Sequence, residues 1–209
     1  MKKNYSKYFI ILLVINIVCL LSSNIVSSKP VDFGILAFTA GDFLFPVTYI
    51  LNDLFVEVYG YKASKFTIRI SFIANIIMIL IFLLAIIMPY PNYYSDQLAF
   101  QKILSFTPRL LLASMLAYYF GNISNSFIMS KLKQKNEKQK VWIRTILSSI
   151  VGEVIDTTIF IVIAFLGVMT FAELIKMIIS IYFLKLFIEI VFTPILVVII
   201  DKFKKLEGV

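Results

Sequence analysis

The segment from Gly41 to Lys62 reads GDFLFPVTYILNDLFVEVYGYK and places acids inside an otherwise apolar stretch. Its carboxylates are Asp42, Asp53 and Glu57. A carboxylate costs a few kcal/mol at the centre of a bilayer, so it is found where it faces other helices or a water-filled cavity. Acids at these positions therefore indicate a polar interior shared between membrane helices.

Composition is typical of a polytopic membrane protein. Of the 209 residues, 60% are hydrophobic and 15% are charged, and the mean hydropathy is +0.94. A membrane span needs about 20 mostly apolar residues. We therefore expect an all-α, six-helix transmembrane bundle that forms a single domain over residues 1–209. The predicted spans are Tyr8–Val26, Phe33–Val56, Ile68–Met88, Leu104–Phe120, Thr145–Leu166 and Leu174–Ile200.

The distribution of positive charge predicts the topology. The net charge is +8, and most of the 20 basic residues lie at the chain start and at residues 62–69, 131–144 and 202–205. The positive-inside rule then favours six spans with both termini in the cytoplasm. The lysine-rich connector at residues 131–140 is interpreted as a solvated loop that fixes orientation, although a lipid or RNA patch would look similar.

The first span has an alternative interpretation, because a basic start followed by an apolar run also fits a cleavable signal peptide. Residues 22–28 make a poor cleavage site, so we interpret the span as an uncleaved anchor.

Residue types that are rare or missing exclude several classes of site. Cys19 is the only cysteine, so an intrachain disulfide is impossible. The chain has no histidine, which excludes histidine metal ligands and Ser-His triads. We expect no catalytic residue, no metal site and no cofactor.

Helical periodicity groups the polar residues of the second span. At about 100° per residue, Asp42, Pro46, Tyr49 and Asp53 form one narrow stripe. Pro46 would free a backbone carbonyl within that face. Asp42 has a second interpretation, as a core carboxylate that neighbouring hydroxyls satisfy.

The fifth span repeats this pattern in SSIVGEVIDTTIF, where Ser149, Glu153, Asp156 and Phe160 share one helical face. Two carboxylates one turn apart repel each other when both are ionised. Either one of them holds a proton or a cation lies nearby.

Two basic residues of the spans could supply that cation. Lys185 stands four residues before Glu189, a spacing that also suits a structural intrahelical pair. Arg109 begins the fourth span, where it could instead extend to the membrane interface. Three amides add to the predicted polar interior: Asn75, Asn122 and Asn125. Such a set favours a substrate or ion path.

Four stretches carry a family resemblance: FPVTYILNDLFVEVYGYKAS, RLLLASMLAYYFGN, WIRTILSSIVGEVIDTTIFIVIAFLG and YFLKLFIEIVFTP. In this order they resemble the queuosine-precursor transporter family, also labelled as vitamin uptake transporters. The resemblance implies a six-helix importer in the bacterial inner membrane. Its expected substrate is a 7-deazaguanine base for tRNA modification: the cyano or aminomethyl precursor, or queuine.

The resemblance also implies site residues. The matching positions are Pro46, Asp53, Glu57, Tyr59, Gly60, Arg109, Ser114, Tyr118, Gly121, Arg144, Asp156, Phe160, Gly167, Lys185 and Pro194. At three positions the chain departs from the family pattern, which has Gln for Asn122, Asp for Asn125 and an amide for Glu153. These departures move a carboxylate from the fourth span to the fifth.

The chemistry of a deazaguanine predicts roles for several of these residues. Asp156 or Glu153 would accept from its donor edge, Arg109 or Asn122 would meet its acceptor edge, and Phe160 or Tyr118 would stack on the ring. Asp53 would pair with a cationic aminomethyl group. The predicted substrate-binding set is Asp53, Arg109, Tyr118, Asn122, Glu153, Asp156, Phe160 and Lys185. The predicted coupling or supporting set is Asp42, Tyr49, Glu57, Asn125 and Glu189.

Two other functions are considered. A substrate-binding subunit of an ATP-driven vitamin or nucleobase importer would need a separate ATPase, because the chain has no P-loop motif. An intramembrane enzyme could use Glu153 and Asp156 as acid and base, but no nucleophile or metal triad accompanies them, so we expect no enzymatic activity. Expected partners are the heterocyclic substrate and membrane lipid, without nucleic acid, and a homodimer is left open.

Overall fold

The computed structural model describes residues 6–32, 37–104, 108–136 and 140–208. Within these ranges the description omits the side chains of residues 30, 32, 37–39, 42, 43, 45, 46, 108 and 111. The described chain forms seven α-helices and one short hairpin. In chain order these are α1 (Lys7–Val26), β1 (Pro30–Asp32), β2 (Ala37–Thr39), α2 (Phe45–Leu54), α3 (Tyr61–Ile87), α4 (Gln97–Leu104), α5 (Pro108–Lys135), α6 (Val141–Phe165) and α7 (Phe171–Glu207).

The helical character predicted from composition is confirmed. Of the described helices, α1, α3, α6 and α7 are long and apolar enough to cross a membrane. The protein is thus a multi-pass membrane protein, while the six-span count and the cytoplasmic termini stay predictions. Helix α7 begins with a capping box, in which Thr170 and Glu173 each bond the backbone N–H of the other residue.

The prediction of one continuous span over Phe33–Val56 is wrong. Strands β1 and β2 pair antiparallel, a 3₁₀ turn follows over Ala40–Phe43, and α2 begins only at Phe45. Pro46 therefore lies in the first turn of α2, where its missing N–H removes no helical bond. The predicted stripe is correspondingly shortened to Tyr49 and Asp53, because Asp42 belongs to the 3₁₀ turn and its side chain lies outside the description.

The second segment continues beyond α2 as a π-helical turn over Phe55–Tyr59. Gly60, with φ of 85°, separates this turn from α3, a conformation that favours glycine. Phe9 of α1 meets the rings of Phe55 and Tyr59 edge-on, at centroid distances of 5.3 and 5.0 Å. This aromatic cluster holds the π-helical turn against α1.

Helices α5 and α6 approach closely where two glycines face each other. A Cβ atom on Gly121 would lie 2.7 Å from Cβ of Asp156 and 3.2 Å from the carbonyl oxygen of Gly152. A Cβ atom on Gly152 would lie 2.8 Å from Cβ of Asn125. Small residues at this crossing bring the polar faces of the two helices together.

Two amide bridges join α1 to α3. Asn16 donates to the Ser71 hydroxyl and Asn24 donates to Asn75 Oδ1, each at 2.9 Å. Buried polar contacts of this kind fix the register of neighbouring helices in an apolar environment.

The lysine-rich connector is partly helical rather than a solvated loop. Helix α5 extends to Lys135, so Lys131 and Lys133 lie on its last turns. The predicted fourth span ended at Phe120 because hydropathy falls there, although the helix itself continues.

Candidate functional site: a buried carboxyl cluster

Four carboxyl groups from three helices lie near the centre of the bundle. Asp53 of α2, Glu153 and Asp156 of α6, and Glu189 of α7 are each less than a tenth exposed. We call these four residues the central carboxyl cluster. Helix α6 presents two of them, Glu153 and Asp156, on one face, as their three-residue separation predicted.

Lys185 of α7 lies beside the acid pair of α6. Its Nζ atom lies 3.4 Å from Glu153 Oε2 and bonds Asp156 Oδ2. Of the two alternatives left open by the sequence, a proton on one acid or a nearby cation, the structure shows the cation. Lys185 thus links α7 to α6. The sequence had also suggested a pair within α7, between Lys185 and Glu189.

Asp53 is held by an amide of α5. Its Oδ1 atom accepts from Asn125 Nδ2 at 2.7 Å, and the Asp53 side chain has no solvent exposure. Asn125 in turn packs on Gly152 of α6. The glycine crossing therefore positions the amide that orients Asp53.

Glu189 completes the cluster from α7. Its Oε1 atom accepts a hydrogen bond from the Ser149 hydroxyl of α6. Glu189 lies within electrostatic reach of Asp53 and Glu153. The four carboxyl groups therefore lie close together in one buried region.

Tyr49 lies beside the cluster, and Tyr118 of α5 is within electrostatic reach of Tyr49. The hydroxyl of Tyr49 lies 3.2 Å from the position that a Cβ atom of Gly121 would take, and it is within electrostatic reach of Asp156. Tyr118 is buried and packs with Leu20. Asn122 donates to the Tyr118 carbonyl at 3.0 Å.

Two predicted substrate-binding residues lie towards the C-terminal end of α6. Arg109 is exposed and donates to the carbonyl oxygens of Ile163 and Leu166, so it caps α6. These carbonyls begin about 10 Å along the helix from Asp156. Phe160 is half-buried and meets Phe165 edge-on at 6.3 Å. The structure does not bring Arg109 to the acids, and a role in substrate binding stays a prediction for both residues.

Glu57 forms a second, separate ion cluster at the lysine-rich end. Its carboxylate accepts two hydrogen bonds of 2.9 Å from Arg144 and one of 3.1 Å from Lys204. Lys133 Nζ lies 3.7 Å from Glu57 Oε2 and also donates to the Glu57 carbonyl. We call Glu57 with these three cations the Glu57 ion cluster. It fastens α5, α6 and α7 to the π-helical turn.

The interior around the central cluster is rich in buried oxygen atoms without a hydrogen-bond partner. Within the described residues these atoms include Tyr49 Oη, Asp53 Oδ2, Asn122 Oδ1, Asn125 Oδ1, Thr145 Oγ1, Glu153 Oε2, Thr157 Oγ1 and Glu189 Oε2. Buried polar atoms are normally paired, so such a set points to bound water or a ligand. The carboxylate and amide oxygens are acceptors, whereas the three hydroxyls can also donate, so the region suits a ligand that has both hydrogen-bond donors and acceptors.

Comparison with known proteins identifies the family. The family described as "Putative vitamin uptake transporter" matches residues 39–199 of this chain. The chain belongs to this family. The resemblance drawn from the sequence motifs is thereby confirmed.

Two bacterial proteins are similar to the chain. The "Probable queuosine precursor transporter" of Bacillus subtilis (strain 168) is 25% identical over 175 residues, which cover 82% of this chain and 76% of the relative. The "Queuosine precursor transporter" of Escherichia coli (strain K12) is 29% identical over 144 residues, which cover 69% and 62%. No solved structure matches the chain.

The departures from the family pattern fall inside the site. Asn125 bonds Asp53, and Glu153 pairs with Lys185. Asn125 and Glu153 lie on the two sides of the glycine crossing, because Asn125 packs on Gly152. That an acid has moved from α5 to α6 relative to the family pattern stays a prediction.

Several residues of the interior were missed from the sequence. Asn52 Oδ1 accepts from Ser64 at 2.7 Å and from Ser126 at 3.0 Å, which joins α2, α3 and α5. Asn16 and Ser71 were also overlooked. Isolated polar residues in apolar helices were the available signal, since a polar group in a span needs a partner.

Proposed function

We propose that the protein imports a 7-deazaguanine precursor of queuosine across the inner membrane of a bacterium. The observation that carries this proposal is the convergence of α2, α5, α6 and α7 on one buried set of acids, amides and a lysine. The names of the two relatives support the substrate class.

The hydrogen-bonding pattern of the site suits such a base. A deazaguanine presents N1–H and its exocyclic amine side by side, and a carboxylate accepts both. Glu153, whose Oε2 atom lies 3.4 Å from Lys185 Nζ, is the carboxylate that we assign to this edge, and Asn122 Oδ1 offers a further acceptor. The Tyr49 hydroxyl is available to donate to O6 of the base. Arg109 is left out of this arrangement because it caps α6.

Uptake in cells tests the proposal. A strain that lacks both its own transporter and precursor synthesis would receive this protein, and accumulation of radiolabelled precursor would be measured. Asp156→Asn should abolish uptake while the protein still reaches the membrane. Asp201→Asn, an exposed acid near the end of α7, is the matched control and should transport normally. Full uptake by Asp156→Asn would refute the assignment.

Transport by the purified protein in liposomes separates a stand-alone carrier from a subunit of an ATP-driven importer. We propose the stand-alone carrier, for which accumulation in protein-only liposomes is the expected result. A requirement for a co-purifying ATPase would assign the chain to the subunit class instead.

A further inference from the structure

The central carboxyl cluster contains two pairs of acids with different surroundings. Glu153 and Asp156 share the ammonium group of Lys185. Asp53 and Glu189 form the other pair and lie within electrostatic reach of each other. The buried guanidinium of Arg144 is bonded to Glu57, in the separate ion cluster.

Asp53 and Glu189 each keep one oxygen available. Asp53 Oδ1 accepts from Asn125 and Glu189 Oε1 accepts from Ser149, whereas Asp53 Oδ2 and Glu189 Oε2 make no hydrogen bond among the described residues. Both side chains are more than nine-tenths buried. Two buried carboxylates with available oxygens repel each other unless a cation or a proton lies between them.

Two amides of α5 carry oxygens without a hydrogen-bond partner among the described residues. Asn125 carries the amide that holds Asp53, and its Oδ1 atom has no partner. Asn122, one turn earlier on α5, also has an unpaired Oδ1 atom. An ammonium group supplies one positive charge and three N–H donors, which a neutral substituent cannot do.

Building on the proposed function, we propose that this site selects a deazaguanine bearing a protonated amine over a neutral one, with Asp53 and Glu189 as the partners of the ammonium group. The flat base then occupies the side of Glu153, Tyr49 and Asn122, and the ammonium group sits between α2 and α7. Lys185 binds the pair on α6 and is also within electrostatic reach of Glu189, and the ammonium group of the ligand supplies the second cation, for Asp53 and Glu189.

The expected selectivity follows from the strength of charged hydrogen bonds. A hydrogen bond to a charged group contributes enough to change affinity by roughly 10- to 100-fold when it is gained in a buried site. The aminomethyl base should therefore bind at least about tenfold more tightly than the cyano base, which is neutral at the same position.

Equilibrium binding to the purified protein tests this inference. The affinities of the aminomethyl and cyano bases would be measured by calorimetry at a pH where the amine is protonated, and their ratio is the readout. Asp53→Asn and Glu189→Gln should each lower the ratio towards one, whereas Asp53→Glu should keep most of it. Asp201→Asn is the control and should leave both affinities unchanged. Thermal unfolding of each variant would confirm that it is folded. The ratio of the two affinities is also unaffected when part of a sample is inactive, because both bases are measured on the same sample.

Four outcomes overturn the inference. Equal affinities of the unmodified protein for the aminomethyl and cyano bases would do so. An affinity ratio that is unchanged in both Asp53→Asn and Glu189→Gln would also do so. If the cyano base binds as tightly as the aminomethyl base once sodium is added, then an inorganic cation, and not the amine of the ligand, is the partner of Asp53 and Glu189. Failure of both bases to bind would reject the proposed function as well, which distinguishes that failure from a loss of selectivity alone.

Discussion

Replacing Glu57 by glutamine should destabilise the protein strongly. The change keeps the size of the side chain and removes the negative charge that Arg144, Lys133 and Lys204 approach. Arg144 is only 2% exposed, so water cannot replace the carboxylate that it loses. Breaking a buried ion pair by removing one partner costs about 3–5 kcal/mol.

The size of this effect can be compared with that of a partly exposed partner. Lys204→Gln removes a cation whose side chain is 27% exposed and leaves the two Arg144 bonds in place. Such a partly exposed pair is worth about 0–1 kcal/mol. For a chain of this length about 1 kcal/mol corresponds to roughly 2–4 °C in melting temperature. Glu57→Gln should therefore lower the melting temperature by about 6–20 °C, and Lys204→Gln by about 4 °C or less.

Thermal unfolding of the purified variants in one detergent measures both changes. A melting temperature of Glu57→Gln within about 2 °C of the unmodified protein would refute the reasoning, because it would mean that Glu57 and Arg144 do not form a buried pair. Equal losses for Glu57→Gln and Lys204→Gln would also contradict it, since the structure gives the two side chains very different burial.

Three further predictions follow from single contacts. Gly152→Ala should cost about 1–3 kcal/mol, because its methyl group would lie 2.8 Å from Cβ of Asn125; an unchanged melting temperature would contradict the close crossing of α5 and α6. Arg109→Gln should lower stability by about 1 kcal/mol with substrate affinity retained, since it removes the cap of α6; lost affinity at unchanged stability would instead restore the binding role predicted from the sequence. Lys185→Gln should abolish uptake and Lys185→Arg should restore part of it, measured with radiolabelled precursor; normal uptake by Lys185→Gln would exclude a role for its charge.

Hydropathy located most of the helices. The first span was predicted as Tyr8–Val26 and the helix is Lys7–Val26, and the fifth was predicted as Thr145–Leu166 against Val141–Phe165. Long apolar runs specify such helices because every backbone group in lipid must be paired within the segment.

Hydropathy failed in the second segment, because it counts apolar side chains and does not locate a helix start. The hairpin and the 3₁₀ turn before Phe45 are apolar enough to resemble part of a span. Pro46 was the signal of the helix start, since proline favours the first turn of a helix, but it was interpreted as lying inside the span.

Periodicity predicted which acids share a face, and the burial of Asp53, Glu153 and Asp156 agrees with it. Partners between helices could not be predicted in this way. The cations around Glu57 lie 76, 87 and 147 residues away in sequence, and only helix packing brings them together. Arg109 shows the same limit. From the sequence it suited either a binding role or an extended position at the membrane interface, whereas in the structure it donates to the carbonyl oxygens of Ile163 and Leu166.

The central claim is that the acids of α2, α6 and α7 form one binding site for a deazaguanine. Binding of a radiolabelled precursor to purified Asp156→Asn, beside purified Asp201→Asn, tests it most directly. The account predicts saturable binding by Asp201→Asn and none by Asp156→Asn when both variants melt at similar temperatures. Equal binding by the two variants would contradict it.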